Sequence, residues 1–149
     1  MANALGTVYE LSMRYLVVLF AAEKKAISID RLLSIDFIAS YGADFGLSSE
    51  NLHGNGSYRY GEYASRKSLS ESAIKRLVVH GYVNVLASNK GYQYAISPHG
   101  ITLCNNLEST YADNYYCIAR KAITEFEEYS DSQVERLILN NASIMIEGE

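Results

Sequence analysis

Long apolar runs, proline, cysteine and net positive charge are all scarce in this chain of 149 residues. The most apolar stretch, Tyr15 to Ala22, is eight residues long, against the roughly 20 that cross a bilayer. No membrane segment is therefore expected. No basic leader precedes that stretch, Glu10 and Arg14 flank it and Lys24-Lys25 follows, so no signal peptide is expected either. The two cysteines, Cys104 and Cys117, make no disulfide framework; lying 13 apart on one expected helix, they read as reduced thiols of a cytoplasmic protein. Proline occurs once, at Pro98, and neither a low-complexity linker nor a fixed-period repeat is visible. With a net charge of −4 and a pI near 5.4, the whole molecule is not a polycation built to coat nucleic acid or anionic membrane.

What is present is enough for a core. Apolar residues make up 48% of the chain and charged residues 20%, which excludes wholesale disorder. One domain over residues 1–149 is expected, with an N-terminal helix (1–27), a central core (28–100) and C-terminal helices (101–149).

Val8, Leu11, Tyr15, Val18, Leu19 and Ala22 recur at helical steps, and Glu23-Lys24-Lys25 closes that helix with cations where its dipole favours them. Ser28 reads as the N-cap of a second helix with Asp30 in its first turn. Ile29, Leu32, Leu33, Phe37 and Tyr41 are its buried face, and Gly42 its left-handed stop. Asp36 falls between Leu33 and Phe37; it is either a buried carboxylate that needs a partner or a solvated residue at the stripe's edge. From Ala43 to Gly61 the pattern dissolves into a long connection rich in glycine, serine and asparagine. It ends in Tyr58-Arg59-Tyr60, groups suited to stacking and anion contact.

Ser68-Leu69-Ser70-Glu71 fits a capping box, so a helix is expected to begin there and to stop at Gly81. Tyr82 to Leu86 switches to strand chemistry, Ser88-Asn89-Lys90-Gly91 is a turn, and Tyr92 to Ile96 alternates as the return strand. Ser97-Pro98 opens another helix. Further on, Leu107, Tyr111, Tyr115, Ile118, Ala122 and Phe126 trace one long stripe. Ser130 and Gln133 form a second capping box ahead of Val134, Leu137, Ile138 and Met145. The expected fold is mainly α with a small β-hairpin: a winged helix-turn-helix core with helical extensions at both ends. The alternative is an ordinary αββα segment.

Between Arg59 and Lys90 six cations face two anions, while the remainder carries seven cations against fifteen anions. The basic block coincides with the expected recognition helix and wing tip, where a duplex would dock. Candidate DNA- or partner-binding residues are Tyr58, Arg59, Tyr60, Arg66, Lys67, Lys75, Arg76 and Lys90, with Tyr63 as a further stacking group. Four or five phosphate contacts would be salt-sensitive and modest, and an acidic protein partner fits as well. His53, His80 and His99 have no metal spacing with one another or with Cys104, His80 beside its glycine reads as a helix-end cap, and no nucleophile has an evident base. No catalytic residue, cofactor or metal is expected.

The run Ile29-Asp30-Arg31-Leu32, Asp36-Phe37, Asp44-Phe45, Leu52-His53, Tyr58-Arg59, Glu62, Arg66 and Leu77 to Gly81 resembles the middle component of bacterial ABC-three-component systems. These small subunits accompany an SMC/Rad50-like ATPase in anti-phage loci, Lamassu-type defence among them. The likeness spans roughly residues 28 to 100; where the family carries proline soon after its Leu-His pair, this chain has Gly54-Asn55-Gly56. The resemblance implies a non-catalytic adaptor linking the ATPase to an effector nuclease, with contact to double-stranded DNA left open. The competing reading is a dimeric winged-helix transcription regulator that uses the Leu107 to Phe126 helix for its dimer.

Overall fold

The computed structural model describes residues 4–54 and 59–147. In chain order these form α1 (Ala4–Ala21), β1 (Ile27–Ser28), α2 (Ile29–Ser40), α3 (Arg59–Val79), β2 (Val83–Ser88), β3 (Gly91–Ile96), α4 (Pro98–Asn105), α5 (Thr110–Glu125) and α6 (Asp131–Glu147), with a short 3-10 turn at Gly42–Phe45. The three strands make one antiparallel sheet in the order β1-β3-β2. The architecture is mainly helical with a small sheet, as the sequence pattern implies.

Local signals account for several boundaries. Ser28 Oγ accepts the Arg31 amide at 3.1 Å and starts α2. Ser97 Oγ accepts the Gly100 amide at 3.1 Å and, with Pro98 in the first turn, starts α4. Gly81 leaves α3 in the left-handed region, at φ 77°. Ser130 and Gln133 make the reciprocal capping box, Gln133 Oε1 accepting the Ser130 amide at 2.8 Å and Ser130 Oγ the Gln133 amide at 3.1 Å. Val134 and Ile138 are buried behind it; the side chain of Met145 lies outside the described residues.

Five expectations are corrected. First, α1 ends at Ala21, and Glu23 and Lys24 turn with φ of 54° and 71°, so the cations lie past the helix. Arg120 of α5 holds that turn, donating to the Ala21 carbonyl at 2.6 Å and pairing with Glu23 at 3.3 Å. Second, β1 was not legible: two residues are too few for a periodicity, and only pairing of Ile27 with Tyr94 and Ser28 with Gln93 makes them a strand. Third, the left-handed residue after α2 is Gly46 (φ 73°), not Gly42. Gly42 instead lies close to its neighbours: a Cβ there would sit 2.6 Å from Ser48 Oγ and 3.0 Å from Ile118 Cγ2, so those side chains would have to shift. Fourth, α5 starts after the Ser109 N-cap, so Leu107 precedes it, and the two free cysteines lie on different helices, Cys104 buried on α4 and Cys117 exposed on α5.

The fifth correction matters most for function. α3 starts at Arg59, nine residues before the serine-rich segment expected to cap it. Ser68 and Ser70 lie inside the helix and turn their hydroxyls back onto the Ser65 and Arg66 carbonyls, at 2.7 and 3.0 Å. Among the described side chains the buried face of α3 is Arg59, Tyr63, Arg66, Ser70, Ala73 and Leu77, at steps of three and four, with Ile74 beside them. Three of these seven are polar, so a search for apolar periodicity misses the first half of the stripe. Burial against α1, α2 and α6 outweighs the local preference of serine for a cap.

Candidate functional site

The interior holds a charged cluster centred on Asp36, which is fully buried. One carboxylate oxygen accepts Arg14 Nε at 2.8 Å and the Tyr115 hydroxyl at 2.5 Å; the other accepts Arg66 Nη1 at 3.0 Å. Arg66 also donates to Ser40 Oγ at 2.9 Å and Glu62 at 2.5 Å, and Glu62 in turn accepts the Tyr41 hydroxyl. Arg66 Nη2 lies 3.2 Å from His53 Nδ1, and His53 Nε2 lies 2.6 Å from the Tyr111 hydroxyl. A guanidinium can only donate, so Nδ1 is the acceptor and the ring proton sits on Nε2.

Electrostatics fixes the charge states. Burial opposes ionisation of Asp36, but Arg66 and then Arg14 overcome it and hold the carboxyl below its ordinary range. Burial, reinforced by Arg66 and Arg14, pushes His53 down to about 4, so the imidazole is neutral near pH 7. The cluster joins α1, α2, α3, α5 and the 41–58 connection, which makes it a clamp on the long loop. Arg59 adds a second tie to that loop through Asp44 at 2.5 Å.

These contacts relocate the expected binding residues. Arg59 and Arg66, 7% and 4% exposed, face inward and neutralise internal carboxylates. Tyr63 is likewise buried, edge-on to Phe37. Tyr58 lies outside the described residues, and Tyr60 belongs to α3 with its side chain outside them. Arg76 sits over the Tyr9 ring, 4.7 Å from its centroid, and its guanidinium reaches His80 at 3.3 Å; His80 is the first residue past α3, its amide donating to the Arg76 carbonyl at 3.1 Å. Lys67 is exposed and 3.8 Å from Glu135 of α6. The basic block of the sequence is therefore a much weaker surface charge than its composition implies.

Lys75 and Lys90 both line a groove of about 470 Å³ between α3 and the β2–β3 hairpin. Strand register explains its floor. Val83, Val85 and Ala87 share a face with Ile96, Tyr94 and Tyr92. Near the body this face is buried; toward the tip Val85 is 43% and Tyr92 66% exposed. Asp30 and Glu71 share the groove wall with the two lysines, so its charges balance. The sequence does not announce Val85 or Tyr92 as site residues, because only the fold decides which end of an alternating strand runs past the core.

Among the described residues no cluster of His, Cys, Asp or Glu could hold a metal ion, and no helix is long and apolar enough to cross a membrane. The family model for middle component 2 of ABC-three component systems matches residues 4–147. No curated protein and no solved structure matches the chain. The match covers nearly the whole chain, and the protein belongs to the middle component 2 family of ABC-three component systems. Membership makes it one subunit of a multi-component system and implies protein partners.

Proposed function

We propose that this middle component is the non-catalytic bridging subunit of a cytoplasmic anti-phage complex, linking an SMC/Rad50-like ATPase to an effector nuclease. The carrying observation is the groove between α3 and the hairpin: an apolar floor of Val85 and Tyr92, with Lys75 and Lys90 balanced by Asp30 and Glu71. Balanced charge and exposed apolar side chains suit a protein segment of mixed polarity better than a phosphate backbone, which rewards unopposed cations. Lamassu-type membership is the finer form of the same reading.

We further assign the core to the winged helix-turn-helix class. Its support is the order helix, strand, helix, helix, hairpin with sheet order β1-β3-β2. In this reading α3 is the recognition helix and β2–β3 the wing. The connection between α2 and α3, residues 41–58, is far longer than the three or four residues of a tight helix-turn-helix.

The test is co-expression with an SMC/Rad50-like ATPase of an ABC-three component system, taken from the same locus as this chain, followed by size-exclusion chromatography. Co-elution that is lost on Tyr92→Ala with Lys75→Glu supports the bridge. A second reading, a dimeric winged-helix regulator, has Lys67, Lys75 and Lys90 exposed on α3 and the wing in its favour. A sequence-specific shift of a short duplex at physiological salt, with no co-elution, would replace the bridge by the regulator.

A further inference from the structure

The two edges of the sheet are treated differently. β1 closes one edge with only two residues and runs directly into α2. β2 forms the other edge and spans six residues, Val83 to Ser88, in unbroken register with β3. Soluble proteins blunt such edges with charge, proline, a bulge or shortness. The segment Val-Asn-Val-Leu-Ala-Ser has no charged residue and no proline, and its consecutive pairs with β3 leave no room for a bulge. Val85 and Leu86 are 43% and 45% exposed. An uncharged strand with open backbone donors and acceptors is a template for another strand.

We propose that the occupant is a second copy of this chain, paired antiparallel through β2 about a two-fold axis passing through Val85. The symmetry follows from the pleat. A two-fold axis normal to the sheet keeps each face on its own side, so it must pass through a residue rather than between two. Centred on Val85, it sets Val83 opposite Ala87, Asn84 opposite Leu86, and Val85 opposite its own copy. On the groove side this makes one continuous apolar row in which Tyr92 and Tyr94 stand behind the paired strands. No like charges meet, because β2 has none, and Lys90, the sole charge of the hairpin, lies at opposite ends of the pair. A short strand pair buries less than the roughly 1,200–2,000 Å² of a standard interface, so the dimer should be weak and its population should rise with concentration.

This inference does not rest on the bridging role, and Lys75→Glu with Lys90→Glu should leave it intact. The experiment is sedimentation velocity of the full chain from about 5 to about 200 μM, a range in which a weak transient dimer becomes visible. A monomer–dimer equilibrium is expected for the natural sequence. Val85→Lys, which puts two cations on the axis, should stay monomeric throughout with unchanged circular dichroism. Directly opposed residues have Cβ atoms about 4.5–5.5 Å apart, within reach of a disulfide after small adjustment. In a Cys117→Ser background, Val85→Cys should therefore oxidise to a covalent dimer and Leu86→Cys should not. A natural chain that is monomeric at every concentration, a dimer indifferent to Val85→Lys, or cross-linking at 86 in preference to 85 would each overturn the proposal.

Discussion

Arg66 and Lys75 lie nine residues apart on one helix and have opposite fates. At about 100° per residue, nine steps leave them half a turn apart. Arg66 therefore points into the body, where it meets Asp36 and Glu62, while Lys75 points into the groove beside the hairpin. One region spends its charge internally and fixes the long loop; the other leaves its charge and its aromatic surface exposed. Charge counted along a sequence is thus a poor measure of charge offered at a surface.

The contrast can be broken at its strongest point by Asp36→Ala. That change takes from Arg14 its carboxylate partner and leaves the buried Arg66 with the Glu62 carboxylate alone, and truncating one member of a buried pair costs about 3–5 kcal/mol. Urea unfolding should show the loss; a midpoint unchanged from the natural protein would mean that the cluster does not hold the fold.

Acid should probe the same region by degrees. Unfolded His53 takes up a proton near its ordinary 6.5, but the folded site refuses it until about 4. Stability should therefore fall as pH drops through that window, and His53→Gln should flatten this part of the curve. Asp36 and Glu62 have the opposite chemistry and the same sign: their folded values are depressed, so the stability they contribute is present above the ordinary carboxylate range and disappears below it. A second decline below about pH 4 is expected in thermal melts, and Asp36→Asn should reduce it.

The join between body and hairpin is buried and closely packed. A Cβ on Gly100 would lie 2.3 Å from the Tyr82 carbonyl oxygen, a backbone atom that cannot swing away. Gly100→Ala should cost about 1–3 kcal/mol in a thermal denaturation. Ser97→Ala, which removes the α4 cap and a 2.6 Å bond to the Gly81 carbonyl, should cost about 1 kcal/mol.

The smallest effect on stability and the sharpest on contact belong to the groove. Lys75→Glu with Lys90→Glu should change unfolding by no more than about 0.5 kcal/mol, because both side chains are exposed. Under the proposed bridging role it should nonetheless abolish co-elution with the ATPase. The same reversal at Arg66 would set a carboxylate against Asp36 and unfold the chain, so equal stability of the Arg66 and Lys75 variants would erase the distinction between the regions.

Much of the hairpin side was legible because its signals are local. Gly81, the turn before Gly91, and Ser97-Pro98 act on neighbours within four residues and mean the same thing in most contexts. Asp36 was legible as a question: an acid on an apolar face either finds a cation or is not buried. Which cation it finds was not legible. Arg14 lies 22 residues away, Arg66 30 and Tyr115 79, and no spacing rule links them. The start of α3 was hidden for a related reason, since its buried stripe includes Arg59, Arg66 and Ser70, which pattern reading assigns to the surface.

By itself, the sequence determined the helix–hairpin–helix order, the helix caps at Ser28, Ser97 and Ser130, and the absence of a span long enough for a bilayer. Those depend on backbone torsions and hydrogen bonds completed within a few residues. Tertiary structure alone decided that β1 is a strand, that two arginines of the basic block face inward, and that Val85 and Tyr92 run past the core into the open. Each of these outcomes depends on which distant surfaces meet, and the free energy of burying a charge or a side chain is set by that meeting rather than by its neighbours in the chain.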